Sequence, residues 1–295
     1  MTSYEPIAQV HRLRRSRATR AKTALKKAAP FSAWFGILVI IGYVIVAVFA
    51  HWIAPYGETQ VFSEAFAPWS QQFKLGTDQL GRDMLTRLIY GARNTIGIAV
   101  ATTLLSFAVG VSLGLLAALY RGWLDQILSR AVDVLMSIPS LIFALVLLSI
   151  FGSSITSLII IIALLDSTRV FRLARAVGLN VAVMEYVEVA RLRGEGPKWI
   201  IAKEILPNVM PPLVAEFGLR FCFVFLTIAA LSFLGVGIQP PTADWGSMVR
   251  ENATLITYGD VTPLLPAGAI ALLTVSVNFV VDWFLHATSG LRDER

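Results

Sequence analysis

Glu185-Tyr-Val-Glu-Val-Ala-Arg-Leu-Arg-Gly-Glu-Gly-Pro-Lys-Trp199, with Ile205-Leu-Pro-Asn208 close behind it, is the stretch on which the fold turns. It is polar, basic and helix-forming, and it lies between apolar runs long enough to cross a bilayer. From about Asn180 to Leu192 the residues suit a helix, with Glu185 and Glu188 in its first half. Gly194 and Gly196-Pro197 break that helix, because glycine permits positive φ and proline cannot continue an upstream helix. A second helix is predicted from near Lys198 towards Leu206, with Pro207 interrupting or kinking it where the next apolar run begins. The product is a short helix lying across a membrane surface and joined by a tight turn to a transmembrane helix. Such a helix is a handle for a separate protein to push. The competing reading is an ordinary amphipathic linker between two spans.

Working outward, composition sets the class. Hydrophobic residues are 56% and charged residues 15% of 295, against roughly 45–50% and 25% in soluble domains. The mean hydropathy is +0.69. That excess of apolar surface needs lipid, so an all-α polytopic membrane protein is predicted. A span takes ~20 apolar residues to cross ~30 Å of hydrocarbon. The run 31–54 is the first, within a charge-free segment from Ala28 to Gly57, and 94–120 is the second. Val134 to Leu165 is also charge-free, but as one helix it would measure ~48 Å. Phe151-Gly-Ser-Ser154 is a turn signal within it, so it divides into spans at about 126–150 and 155–177. The fifth runs from about 211 to 236 and the sixth from about 263 to 286, which puts both termini on one side.

Orientation follows from lysine and arginine. Residues 1–30 carry eight of them and 169–203 carry seven, whereas 239–262 holds only Arg250 and 151–155 none. Lys74, Arg82 and Arg87 in 55–92 dissent mildly. The balance places both termini and the basic loop in the cytoplasm. The organisation expected is a basic tail at 1–30, a first span at 31–54, and an external loop with an interfacial segment at 55–92. A five-helix core at 93–286 follows, including the cytoplasmic loop 179–207, then a cytoplasmic end at 287–295. The apolar run 31–54 is too long for a signal-peptide core of ~7–15 residues, so it reads as a retained helix.

Several chemistries are excluded. Cys222 is the single cysteine, and His11, His51 and His286 are scattered, so neither a disulfide framework nor a metal cluster is expected. There is no GxxxxGK[ST] phosphate loop and no Ser-His-Asp arrangement. The chain is expected not to be an enzyme, to bind no cofactor or metal, and to bind no nucleic acid despite a net charge of +6.

The quoted loop resembles the EAA loop of ABC importer permeases. Glu188, Ala190 and Gly194 match the first part of that motif and Leu206-Pro207 its end; Val189 and Glu204 depart from it. Leu75-Gly-Thr-Asp-Gln-Leu-Gly-Arg-Asp83, with Arg87-Leu-Ile-Tyr-Gly-Ala-Arg93, resembles the LGTDxxGRD element of the peptide and nickel branch. Ala230-Leu-Ser-Phe-Leu-Gly-Val-Gly237 and Gln239-Pro-Pro-Thr-Ala-Asp-Trp-Gly246 resemble its ALSFLGLG and QPPxxxWG stretches, and His51-Trp-Ile-Ala-Pro-Tyr56 fits the end of its first span. Ile228 departs where many members are acidic, as does the C-terminus, which lacks Gly-Asp-Gly before Leu-Arg-Asp.

The resemblance implies the type I permease fold and a subunit of the second, C-type kind. It implies a homologous permease partner, two ATPase subunits that use ATP and Mg, an external binding protein, and short peptides as cargo, with nickel or another small solute as the alternative. Glu185, Glu188, Ala190, Arg191, Gly194, Pro197, Leu206 and Pro207 would couple to the ATPases. Arg172 and Arg175 match an Arg-Leu-x-Arg element and would anchor the loop. Gly76, Asp78, Gly81, Arg82, Asp83, Gly235, Gly237, Gln239, Pro240 and Trp245 would be structural.

Charges at membrane depth are functional candidates by default. Asp166, Arg169 and Arg172 share one helix face and are predicted to hold an internal ion pair; Glu216 and Arg220 are four apart and could pair likewise. Asp133 and Asp282 fall near helix ends, and for all of these packing and solvation are the favoured roles. A rival of a different class is an ion-coupled secondary transporter built on Asp166 or Glu216. It would call for inverted halves and broken midplane helices, neither of which is visible in the sequence. A non-transporting scaffold is the third reading.

Overall fold

The computed structural model describes residues 30–289. The basic tail, apart from Pro30, and the Leu-Arg-Asp end lie outside the described residues. Among those described the chain is helical, with only an isolated bridge between Thr77 and Asp83. Helix α1 spans Phe31–Val48 and the single turn α2 Ala50–Ile53. Then come α3 Met84–Tyr120, α4 Gly122–Ser137, α5 Ser140–Phe151 and α6 Ile155–Ala182. The loop holds α7 Glu185–Leu192 and α8 Pro197–Ile200, and a π segment Ile201–Ile205 leads into α9 Leu206–Phe233. Helix α10 Trp245–Asn252, a 3₁₀ turn Ala253–Tyr258 and α11 Leu264–Ser289 complete it.

Four helices are long and apolar enough to cross a membrane: Phe31–Val48, Met84–Tyr120, Pro197–Phe233 and Leu264–Ala287. The bent pair α4–α5 makes a fifth if counted as one. Helix α6, at 28 residues, has the length, but Asp166, Arg169 and Arg172 keep it outside the same apolar measure.

Three expectations are corrected. The span at 126–150 is not one helix: α4 and α5 meet at an 89° bend. Pro139 forces it, since the residue before proline is pushed out of the helical region, and Ile138 is extended at ψ 131°. The same bend supplies a broken helix that was not visible in the sequence. The second helix starts at Met84 rather than 94, capped by Asp83, whose carboxylate accepts from the Thr86 N–H. Its first turns look polar in sequence because they carry Arg87 and Arg93, yet Arg87 is 1% exposed. The third concerns Pro207, which does not interrupt the loop's second helix. The turn before it widens instead, and the Leu206 N–H reaches the Ile201 carbonyl.

Helices α3 and α6 pack along most of their length. Gly110 and Gly114, four apart, permit it: a β-carbon at Gly110 would meet Val170 Cβ at 2.6 Å, and one at Gly114 the Phe171 carbonyl at 2.7 Å. Small residues four apart let membrane helices approach backbone to backbone. One apolar core, including Ile96, Leu148, Phe225 and Trp245, joins α3, α5, α6, α9 and α10. A second, built on Leu115, Leu119, Ala174, Ile205 and Val209, sits beneath the loop.

Candidate functional site

Helix α7 is amphipathic in a way its sequence dictates. Val187 and Ala190, three apart and therefore on one face, are both fully buried against Leu115, Leu119 and Ala174. Glu185 and Glu188 lie in the first turn and Arg191 in the last, the arrangement the helix dipole favours. Arg191 Nη2 donates to the Leu119 carbonyl at 3.2 Å, tying α7 to the end of α3. The outward face carries Glu185, Glu188, Tyr186, Val189 and Leu192, the last 82% exposed.

The helix ends in a Schellman motif. The Gly194 N–H bonds the Arg191 carbonyl and the Glu195 N–H the Ala190 carbonyl, with Gly194 at φ +81°. Those bonds satisfy carbonyls left over at the helix end, and the left-handed φ makes glycine the natural residue there. A β-carbon at Gly194 would meet nothing within 4 Å, so backbone conformation and not space selects the glycine. Pro197 occupies the first turn of α8, where its missing N–H costs nothing. Arg193 sits over the Trp199 ring at 5.7 Å. The widened turn at 201–205 carries Leu206, half-buried, and Pro207, exposed, into α9.

Arg172 and Arg175 do not meet this loop through their ion pairs; both turn to α4. Arg175 binds Asp125 with two nitrogens, one of them Nη2 to Oδ2 at 2.6 Å, and Arg172 Nη2 donates to Asp133 at 2.7 Å. Asp125 escaped sequence reasoning. Its signal was its spacing: eight residues before Asp133 it lies on the same face of α4, matching arginines three apart on α6.

The structural-motif residues form a second assembly at the other end of α3. Asp78, fully buried, accepts from the N–H groups of Leu80 and Arg82 at 2.9 Å and from Arg82 Nε at 2.7 Å. Arg82 and Arg87 both reach Glu251, at 3.1 and 3.7 Å. Two carboxylates against two guanidinium groups leave the cluster neutral, which buried charge requires. Gly76 and Gly81 both have φ +74°. The Gln239 amide donates to the Gly235 and Gly237 carbonyls, and Pro240 precedes Pro241, whose carbonyl accepts from Arg87. The indole of Trp245 donates to the Leu88 carbonyl at 2.9 Å. Asp244 caps α10; burial pushes its carboxyl above the usual range, opposed by hydrogen bonds from Ser247 and Thr95. Glu251 was missed because Arg82 and Arg87 are far away in sequence, and Asp244 although its capping partner Ser247 is only three positions on.

Both ion pairs expected at membrane depth form, Arg169 with Asp166 and Arg220 with Glu216, and two further contacts were not foreseen. Arg172 leaves Asp166 for α4, and Arg220 bridges Glu216 on its own helix at 2.8 Å and Asp166 on α6 at 3.5 Å. Asp166 also accepts from Ser106 at 2.9 Å, and Arg169 lies 3.8 Å from it.

A bundle of apolar helices holding paired charges in its interior, with a polar loop backed by an apolar cluster on its surface, defines a polytopic membrane component. Residues 110–289 match the family described as binding-protein-dependent transport system inner membrane component, and the chain belongs to that family. It is 34% identical to the di/tripeptide transport system permease protein DppC of Pseudomonas aeruginosa, over 88% of this chain and 85% of that one. The dipeptide permease DppC of Alkalihalophilus pseudofirmus is 31% identical over 88% and 83%. The glutathione permease GsiD of Escherichia coli is 34% identical over 87% and 83%. As a member of that family the chain is the membrane-spanning component of a transporter and not itself a catalyst.

Proposed function

We propose that this chain is the permease subunit of an ATP-driven importer of short peptides in a prokaryotic plasma membrane. In this reading it crosses the membrane six times, α6 included, with both termini in the cytoplasm. It pairs with a homologous permease, two ATPase subunits dock on the cytoplasmic loops, and an external binding protein delivers the cargo. ATP and Mg act only in those partner subunits. The relatives' names, dipeptide, di/tripeptide and glutathione, support short peptides over nickel or another small solute.

The observation that carries the reading is the two-faced helix α7. Its inner face is locked to α3 and α6 by Val187 and Ala190, and its outer face offers Glu185, Glu188 and Leu192 to a partner. Force on such a face is transmitted to the bundle, because a fully packed core behaves as a solid. Closure of the ATPases would draw the two coupling helices together and rotate the bundles, a two-state rigid-body change biased by nucleotide. Gly194, Pro197, Leu206 and Pro207 shape the turn that holds the helix to α9, and Arg191 fastens it to α3. Arg172 and Arg175 brace the base of the lever through α4.

Glu188→Lys costs only about 0.3–1 kcal/mol through the helix dipole, and Gly194→Asp about 1–2 kcal/mol through the left-handed φ. Both variants are therefore expected to insert at normal abundance while peptide uptake falls at least about tenfold. Uptake at the wild-type rate would refute the lever. The bend between α4 and α5 lends some support to an ion-coupled transporter. Collapsing the ion gradient while holding ATP constant decides: uptake persists if ATP drives import and stops if the gradient does.

A further inference from the structure

The cluster around Asp166 opens into a cavity of about 110 Å³ lined by Ser140 of α5, Asp166 and Arg169 of α6, and Phe223, Val224 and Thr227 of α9. Its depth follows from helix geometry. Asp166 stands 11 residues into α6, about 16 Å from that end, and Ser140 opens the 12-residue α5, about 18 Å from the same side. Both distances reach the middle of a hydrocarbon layer of ~30 Å. The bend at Ile138-Pro139 therefore leaves α5 covering only half the membrane, and the cavity lies where it stops.

The four charges here are not held equally. Asp166 and Arg220 are nearly enclosed, with side chains 6% and 12% exposed; Asp166 accepts from Ser106 and Arg220, and Arg220 Nε lies 2.8 Å from Glu216 as an ion pair. Arg169 differs. Its side chain is 42% exposed, and its contacts are long: Nη2 to Ser140 Oγ at 3.5 Å and Nη1 to Asp166 at 3.8 Å. A guanidinium carries five N–H donors in a planar fork that matches a carboxylate, and at this depth lipid offers it no acceptor. An exposed arginine at mid-membrane must therefore face a partner or an aqueous path.

We propose that this cavity is a cargo subsite in which Arg169 binds the carboxylate of the passing solute, with the Ser140 hydroxyl as a second donor and Phe223 as an apolar wall. Asp166 and Arg220 act as positioning residues: their pairing keeps Asp166 from capturing Arg169 outright. At about 110 Å³ the space is small, large enough for a few water molecules. That suits one charged end of a peptide and not a whole one. The inference rests on the peptide-import reading and adds which end of the peptide is gripped.

The test uses the complete importer in proteoliposomes with its binding protein and ATP. Two probes, Ala-Phe and its C-terminal amide, are each supplied at a concentration that saturates the binding protein. The wild type should import the free acid at least about tenfold faster than the amide, the worth of one charge-assisted hydrogen-bond pair. Arg169→Gln should slow the free acid about tenfold and leave the amide unchanged, with binding-protein-stimulated ATP hydrolysis preserved, and Arg169→Lys should restore part of the preference. The subsite is overturned if Arg169→Gln slows both probes and ATP hydrolysis alike, which marks a structural role, or if it changes neither probe. Wild-type vesicles that hydrolyse ATP but import neither probe would refute the peptide-import reading itself.

Discussion

At the scale of single residues, the contrast between Gly110 and Gly97 shows how position and not residue type sets the cost of a substitution. Both lie in α3. A β-carbon at Gly110 would sit 2.6 Å from Val170 Cβ and 2.7 Å from the Ser167 carbonyl, whereas at Gly97 nothing lies within 4 Å. Gly110→Val should destabilise the detergent-solubilised protein by about 1–3 kcal/mol through overpacking. Gly97→Ala should be neutral or stabilising by up to about 1 kcal/mol, through helix propensity. Thermal melts of the two variants side by side check this, and equal midpoints would mean that α3 and α6 are not pressed together as described. Residues of this scale were legible in sequence where the cause is local. Gly194 reads as a turn from its neighbours alone, because a left-handed φ is a property of one residue. Arg220 does not read: its second partner, Asp166, is 54 positions away, and spacing along one helix reveals only the pair with Glu216.

Among elements, the α4–α5 pair is where sequence reasoning and geometry part. The charge-free run from Val134 to Leu165 hides the break, because hydropathy reports what lipid will accept and not where backbone hydrogen bonds fail. Pro139 was the available signal, outweighed by the apolar residues on both sides. Within the bent pair α5 is held by Ala144 and Leu148 in the apolar core, whereas α4 buries none of its residues and is held by ion pairs. Its two anchors differ in kind. Asp125 and Arg175 meet through two contacts with side chains 14% and 33% exposed, whereas Asp133 and Arg172 meet through one with both 53% exposed. Exposed pairs contribute about 0–1 kcal/mol; doubled, sheltered ones exceed that. A double-mutant cycle on Asp125 and Arg175 should return a coupling of about 1 kcal/mol or more, and the same cycle on Asp133 and Arg172 less than about 0.5 kcal/mol. The reverse ranking would show that the bend is held by the exposed pair.

For the whole molecule, the two ends of the bundle are built differently, and that difference bears on the proposed orientation. One end is a neutral, closed assembly in which Asp78, Arg82, Arg87 and Glu251 pair as ions, with Arg87 Nε and Nη2 making no hydrogen bond. The other presents a loop in which Arg191, Arg193, Lys198 and Lys203 are all exposed, beside an equal number of glutamates. Lysine and arginine near span ends favour the cytoplasmic side, which is the side proposed for this loop. The three arginine and lysine residues of the 55–92 region weaken this count in sequence, but two of them, Arg82 and Arg87, are buried and neutralised by carboxylates. Both belong to that closed assembly, and Lys74 is the remaining basic residue of 55–92. Labelling makes it testable with few changes, because Cys222 is the single cysteine and is buried. In a Cys222→Ser background, Leu192→Cys and Tyr258→Cys replace side chains 82% and 85% exposed at opposite ends of the bundle. A membrane-impermeant maleimide added to intact cells should modify the cysteine at 258 and spare that at 192 until the membrane is opened. Modification of the cysteine at 192 from outside would place the loop on the wrong face for any ATP-hydrolysing partner, and the lever mechanism would fall with it.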